Sequence, residues 1–297
     1  MIRRIMGLLA ALGAVVATVV ILPATTASAA ECAGAWNSSS VYTGGGAASY
    51  NGHNWTAKWW TQNETPGSSD VWADQGSCGG GGTDPGDPGS SAGFIVSEAQ
   101  FNQMFPGRNS FYTYSGLTAA LDAYPGFANT GSDTVKRQEA AAFLANVSHE
   151  TGGLVYVVEQ NTANYPHYCD SSQPYGCPAG QSAYYGRGPI QLSWNFNYKA
   201  AGDALGIDLL GNPYLVEQDA AVAWKTGLWY WNTQSGPGTM TPHNAMVNSA
   251  GFGETIRSIN GSIECNGGNP AQVQSRIDKY QAFVSILGTT PGSNLSC

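Results

Sequence analysis

A mainly α-helical domain preceded by a small β-type module is the fold class this sequence predicts, on three observations. Near the C-terminal end, Val273, Ile277, Tyr280, Val284 and Leu287 recur at helical spacing after an Asn269-Pro270 pair. Between Ala30 and Cys78 no such period exists; short runs such as Val41-Tyr42 and His53 to Trp60 are separated by Gly and Asn turns. The stretch GGGGTDPGDPGSSA, from Gly79 to Ala92, divides the two regions. Gly, Pro, Ser and Asp with no large apolar residue bury no core, so this stretch reads as a linker.

In chain order, the first element is a targeting segment. Arg3 and Arg4 give a basic start, Ile5 to Leu22 form an apolar run, and Ala27-Ser28-Ala29 supplies small residues for cleavage. The run is nearly long enough to cross a bilayer, but Pro23 and the Ala-x-Ala site point to a signal peptide over residues 1–29. The mature chain is then expected to be extracellular, with no membrane association. The module over 30–78 is too small to hold itself by apolar burial alone and needs a staple, which Cys32 and Cys78 supply. As a flexible coil, the linker over 79–92 spans about 20 Å. In the domain over 93–297, Ser132 or Asp133 caps a helix through Val135 to Ser148, and Asp219 to Trp231 reads as an apolar, buried helix. The last helix takes Asn269 as its cap and Pro270 in its first turn, and Gly288 ends it. Gly-, Asn- and Tyr-rich loops fill the remainder, long enough to line a cleft.

Charge excludes one class of partner. The formal net charge of −8 becomes −10 once Arg3 and Arg4 leave, and no Lys/Arg cluster survives cleavage. Nucleic acid demands concentrated positive charge, so a neutral polymer suits this surface better. The six cysteines all follow the signal, as Cys32 and Cys78, Cys169 and Cys177, and Cys265 and Cys297. An even count in an exported chain reads as disulfides. Fifteen pairings are formally open; nearest-neighbour pairing keeps each bridge within one module. No C-x-x-C or Cys/His spacing supports a zinc site.

The helix after Ser132 runs into His149-Glu150-Thr151-Gly152-Gly153. A zinc protease would need H-E-x-x-H, and position 153 is Gly. Two carboxylates remain, Glu150 and Glu159, nine residues apart. On one straight helix, nine residues turn about 900° and rise about 13.5 Å, placing them on opposite faces. Gly152-Gly153 lets the chain fold back instead. The two acids can then approach the roughly 6.5–9.5 Å gap of an inverting glycosidase, Glu150 protonating the leaving oxygen and Glu159 activating a water. This mechanism needs no imidazole, so His149 reads as structural. Spacing alone does not separate such a pair from two solvated surface charges.

Three stretches narrow the reading: His149-Glu-Thr-Gly-Gly153, Tyr185-Gly-Arg-Gly-Pro-Ile-Gln-Leu-Ser-Trp-Asn-Phe-Asn-Tyr198 and Ser258-Ile-Asn-Gly-Ser-Ile-Glu-Cys265. In these, and in their order across most of 93–297, the chain resembles the family 19 glycoside hydrolases, chitinases of plants and actinobacteria. The resemblance implies a two-lobed, lysozyme-like helical domain with a central cleft. It also implies endo-acting, inverting hydrolysis of β-1,4 linkages between N-acetylglucosamine units, with no metal and no cofactor. It puts the general acid on Glu150, the general base on Glu159 and the hydroxyl that helps hold the attacking water on Ser193. Gln191, Asn197 and Asn260 match sugar-contacting positions. Arg276 and Glu264 match an ion-pair network around the acid. A guanidinium beside a lone acid hinders proton donation, and a second carboxylate offsets it. Plant members carry longer loops than this compact chain, which leaves the number of sugar subsites open.

In the small module, Ala57-Lys58-Trp59-Trp60-Thr61, with Tyr50, Pro66 and Trp72, resembles the family 5/12 chitin-binding modules. Adjacent strand residues face opposite ways, so one ring of the Trp pair could join Trp36, Trp55 and Trp72 in a core. On a bent segment both rings are exposed, and Trp59 and Trp60 are then the chitin-binding residues. The expected partners are chitin and N-acetylglucosamine oligomers, met by a monomer, in chitin degradation that serves either nutrition or antagonism of fungi. A peptidoglycan hydrolase and a non-catalytic chitin-binding lectin are the competing readings.

Overall fold

The computed structural model describes residues 33–34, 36–37, 40–50, 53–78 and 94–297. The expected signal peptide over 1–29, the linker over 79–92 and Cys32 lie outside the described residues.

In the N-terminal module, β1 (Val41–Tyr42), β2 (Ala47–Tyr50), β3 (His53–Ala57), β4 (Thr61–Gln62) and β5 (Trp72–Ser77) form two small antiparallel sheets. One pairs β1 with β4; the other has the order β2-β3-β5. Ala48, Ala57, Val71 and Trp72 make the core, with Trp36, Tyr42 and Trp55 packed against it. The expected strand from His53 to Trp60 stops at Ala57, and Lys58 and Trp59 fall on a bend. Strand alternation therefore does not govern the Trp pair. Trp59 is 56% exposed and Trp60 59%.

The larger region contains α1 (Glu98–Met104), α2 (Tyr114–Ala120), α3 (Asp133–Glu150), α4 (Asn195–Leu205), α5 (Leu215–Gln218), α6 (Ala220–Thr233), α7 (Pro242–Val247), α8 (Phe252–Glu264) and α9 (Pro270–Ile286). Their ends follow sequence chemistry. Of the two candidate caps for α3, Ser132 accepts from the Val135 amide, leaving Asp133 in the first turn where its charge favours the helix dipole. Asp219 caps α6, Asn269 caps α9 ahead of Pro270, and Gly288 follows α9 with φ 65°.

Two apolar cores divide the helices into two lobes. The larger contains Phe101, Leu117, Phe143, Leu144, Ile256 and Tyr280; the smaller contains Tyr184, Leu192, Tyr198, Leu209 and Val216. Helix α6 serves both, giving Trp224, Leu228 and Trp231 to the first and Ala223 and Trp229 to the second. Helix α3 is buried continuously from Glu139 to Ser148. Alanines at 140, 141, 142 and 145 let its neighbours approach closely, and α9 packs along it. A polar side chain buried there needs partners. Glu139 accepts from Trp231 Nε1 and the Ala128 amide, both at 3.0 Å, and bonds His243 Nδ1 at 2.6 Å.

Cys169–Cys177 closes a loop in the smaller lobe, and Cys265–Cys297 ties the chain's last residue to the end of α8. Both are nearest-neighbour pairs. Cys78 is also disulfide-bonded, and no described cysteine is free. Among the described residues no helix is long and apolar enough to cross a membrane.

Candidate active site

Glu150 is the last residue of α3. Behind it Gly152 (φ 62°), Gly153 (φ 86°) and Leu154 (φ 62°) take the left-handed conformation in succession. The Gly153 amide donates back to the Ser148 carbonyl at 2.7 Å, the wide bond that closes a helix with a left-handed terminus. A Cβ on Gly152 would also meet the Tyr156 ring at 3.0 Å, so this position requires glycine on two counts. Leu154 bears its own strain because its side chain is fully buried and its amide donates to Thr151 Oγ1 at 2.7 Å. The backbone reversal expected from the two glycines is present. Beyond it, the Gly188 amide donates to the Val157 carbonyl and the Glu159 amide to the Gly186 carbonyl, both at 2.8 Å.

The first charged cluster gathers at the end of α3. Arg276, on α9, is 1% exposed and presents its fork to Glu264, with Nε to Oε2 at 2.8 Å and Nη2 to Oε1 at 2.7 Å. Its Nη2 also donates to Glu150 Oε1, and Nη1 donates to Asn146 Oδ1 at 3.1 Å. Asn260 donates to Glu264 Oε1 at 2.7 Å from a point where α8 kinks (φ −143°, ψ 28°). Burial alone would raise the Glu264 pKa; the Arg276 bonds and charge outweigh it and hold the carboxyl below its ordinary value. Glu264 is wholly enclosed, whereas Glu150 keeps 20% of its side chain in solvent. Glu264 thus neutralises much of the guanidinium field before it acts on Glu150, the solvent-reachable carboxyl of this cluster.

The second cluster holds Glu159. Its Oε1 accepts from Asn164 Nδ2 at 2.7 Å and Tyr168 Oη at 3.0 Å, and its Oε2 from the Gly186 amide at 3.4 Å. Gln191 lies against Gly186 and donates to the Gly188 carbonyl at 3.0 Å. Tyr168 meets the Trp194 ring edge-on at 5.7 Å, and Trp194 follows Ser193, whose carbonyl accepts from Asn197 Nδ2 at 2.9 Å. Gln191 (φ 51°) and Trp194 (φ 74°) both carry a left-handed backbone and bracket Ser193. Strain of this kind persists only where the surroundings over-determine it.

The structure therefore joins Glu150, Arg276, Glu264 and Asn260 in one network. Around Glu159 it brings Asn164, Tyr168 and Gly186, with Gln191 against Gly186, while Ser193 and Asn197 are bonded to each other on the neighbouring segment. Arg276 is buried on α9, within the ion-pair network that the resemblance implied. Sequence reasoning missed Asn146, Asn164 and Tyr168. Asn146 was open to discovery, lying one turn before Glu150 on the same helix. Asn164 and Tyr168 sit in a non-periodic segment that gives no such signal. Among the described residues no group of three His, Cys, Asp or Glu side chains is placed to hold a metal. A shallow hollow of about 400 Å³, lined by Lys199, Asp203, Asp208 and Leu210 among others, includes neither glutamate.

His149 points away from proton chemistry. It bonds Ser275 Oγ at 3.2 Å, and burial, reinforced by the Arg276 charge, pushes its pKa from 6.5 down to about 4. The unfolded chain takes up a proton near 6.5 while the folded chain resists it until about 4. The stabilisation is therefore complete above pH 6.5 and is lost as pH falls towards 4. His149→Gln is expected to flatten the fall of Tm over that interval. Parallel Tm–pH curves for the two proteins would refute this.

Comparison with known proteins completes the description of the site. Residues 95–297 match the family model described as chitinase class I, and residues 35–73 match carbohydrate-binding module family 5/12. Endochitinase A of Zea mays is 44% identical over 211 residues, covering 68% of this chain and 71% of that protein. Basic endochitinase B of Arabidopsis thaliana is 38% identical over 255 residues, covering 75% of each. The crystal structure of chitinase C from Streptomyces griseus HUT6037 is 77% identical, with a TM-score of 0.69, over 90% of this chain and all of that one. A bacterial family 19 chitinase structure is 84% identical, with a TM-score of 0.68, over 69% of this chain and all of that one.

Proposed function

From the premise that this chain belongs to glycoside hydrolase family 19, the chitinase class I family, we propose that it cleaves chitin internally and with inversion, Glu150 acting as general acid and Glu159 as general base. The fold is the lysozyme-like one of that family, joined to a carbohydrate-binding module. One observation carries the assignment: two glutamates on either arm of a glycine reversal have opposite electrostatic settings. Glu150 is solvent-reachable and bonded to a buried cation shared with Glu264. Glu159 is held by neutral donors only, Asn164, Tyr168 and the Gly186 amide. A carboxylate fixed by neutral donors is suited to accept a proton from water, while Glu150, which keeps a fifth of its side chain in solvent, delivers one to the glycosidic oxygen. Ser193 orients that water, and Gln191, Asn197 and Asn260 contact the acetamido and hydroxyl groups of the sugars.

Following the first-released sugar by proton NMR tests the stereochemistry. The α-anomer is expected first from a β-linked oligomer; initial release of the β-anomer would overturn inversion.

The remaining assignments belong to the same proposal. A signal peptide over 1–29 exports the chain, the module over 30–78 anchors it to chitin, and a linker over 79–92 tethers the hydrolase over 93–297. The enzyme then works outside the cell as a monomer, on chitin and on fungal walls that contain it. The exposed rings of Trp59 and Trp60 support the anchoring role. Replacing both with Ala is expected to weaken adsorption to insoluble chitin about 10-fold, from two lost stacking faces. Turnover of soluble oligomers should stay at the parent rate. Undiminished adsorption would remove the Trp pair from the binding surface.

A further inference from the structure

Arg187 lies in the Tyr185–Tyr198 stretch, and its side chain has no part in the chemistry proposed above. Its side chain is fully buried. The main chain links Glu159's segment to that of Ser193: Arg187 forms one bridge with Val158 and another with Leu192. The side chain is held at two of its three nitrogens and on its flat faces. Nε donates to Glu217 Oε2 at 2.9 Å, and Nη1 donates to the Ala183 carbonyl and Tyr198 Oη, both at 2.7 Å. The guanidinium carbon lies 3.5 Å from the Tyr185 ring centroid and 4.9 Å from that of Tyr214. Tyr185 in turn stacks on Tyr165, with centroids 3.7 Å apart and planes 10° from parallel. The column ends at the Tyr165 hydroxyl, which donates to the Glu159 carbonyl at 2.8 Å.

Burying a cation is costly, and apolar side chains would fill the same space with less desolvation. Nη2 of Arg187 is buried without a hydrogen-bond partner, so its hydrogen bonding is not complete. A flat cation sandwiched by rings does supply something apolar packing does not: it holds the plane of the ring beneath it by a directional attraction. We propose that Arg187 is a positioning residue for Glu159, acting through the Tyr185–Tyr165 stack on the main chain of that glutamate. This inference rests on the reading of Glu159 as general base. A displacement of about 1 Å at a reacting group costs up to roughly 100-fold in rate, so small shifts of this column are readable in kcat.

The test uses the full chain and a soluble chitin oligomer. Tyr165→Phe keeps the stack and deletes only the hydroxyl on the Glu159 carbonyl. It is expected to lower kcat about 10-fold, with KM and Tm close to the parent. Arg187→Lys keeps the charge and loses the planar face, and is expected to lower kcat at least as much, again with KM little changed. A fall in Tm with parental kcat measured well below that Tm would make Arg187 a structural strut and overturn the inference. Should Arg187→Lys fail to fold, Tyr165→Phe decides alone: parental kcat overturns the inference. Glu159→Gln, measured alongside, separates the two levels. If it retains turnover, the base assignment itself fails. If it is inactive while Tyr165→Phe and Arg187→Lys turn over normally, only the positioning role fails.

Discussion

Glu150→Gln is expected to lower turnover of soluble chitin oligomers by about 10²–10⁴-fold, the usual contribution of a general acid. Glutamine matches the shape of the carboxyl, and its carbonyl still accepts from Arg276 Nη2, so the network at the end of α3 keeps its geometry. What it lacks is an acidic proton for the leaving oxygen. Oligomer affinity, read by calorimetry, should therefore stay within a few-fold of the parent. The combination is diagnostic, because lost turnover with intact binding places the defect in the transition state. An unchanged rate would remove Glu150 from the chemistry.

Arg276→Met should cost both stability and activity. Arg276 and Glu264 are buried together, and removing one partner leaves the other charge uncompensated, at a cost of about 3–5 kcal/mol. For a domain of this size that corresponds to a Tm lower by roughly 10 °C or more. Glu264 would retain only the Asn260 amide, and Asn146 Oδ1 would lose its donor. The double variant Arg276→Met/Glu264→Leu, which removes both charges, is expected to recover most of the Tm and little of the turnover, because Glu150 has then lost its anchor. A single variant melting with the parent would show that the buried pair contributes nothing to folding.

Much of this architecture was legible before any coordinates. Asn269-Pro270, Asp219 and the Gly152-Gly153 pair marked helix ends by local chemistry, and local chemistry decides helix ends. Arg276 also carried a signal. It stands three residues after Val273 and four before Tyr280, on the apolar stripe of α9. A charge on a core-facing stripe implies a buried partner. Its identity did not follow, because Glu150 lies 126 residues away in sequence. The donors around Glu159 were hidden for a different reason. Asn164, Tyr165 and Tyr168 lie on a short 3-10 helix, Thr162–Tyr168, with Pro166 inside it and no apolar repeat in its sequence to announce it. The Trp pair was legible only in part: strand alternation offered one ring to the core, whereas the strand ends three residues short of Trp60 and the bend leaves both rings outside, as the bent-segment reading expected.

Helix α6 has a consequence for how the domain comes apart. Trp224 and Trp229, five positions apart on one rod, are rooted in different cores. Neither half of the domain can melt without withdrawing a tryptophan's worth of packing from the other. Heat should then dismantle both in one calorimetric transition, and fragments severed at that rod have no reason to refold separately.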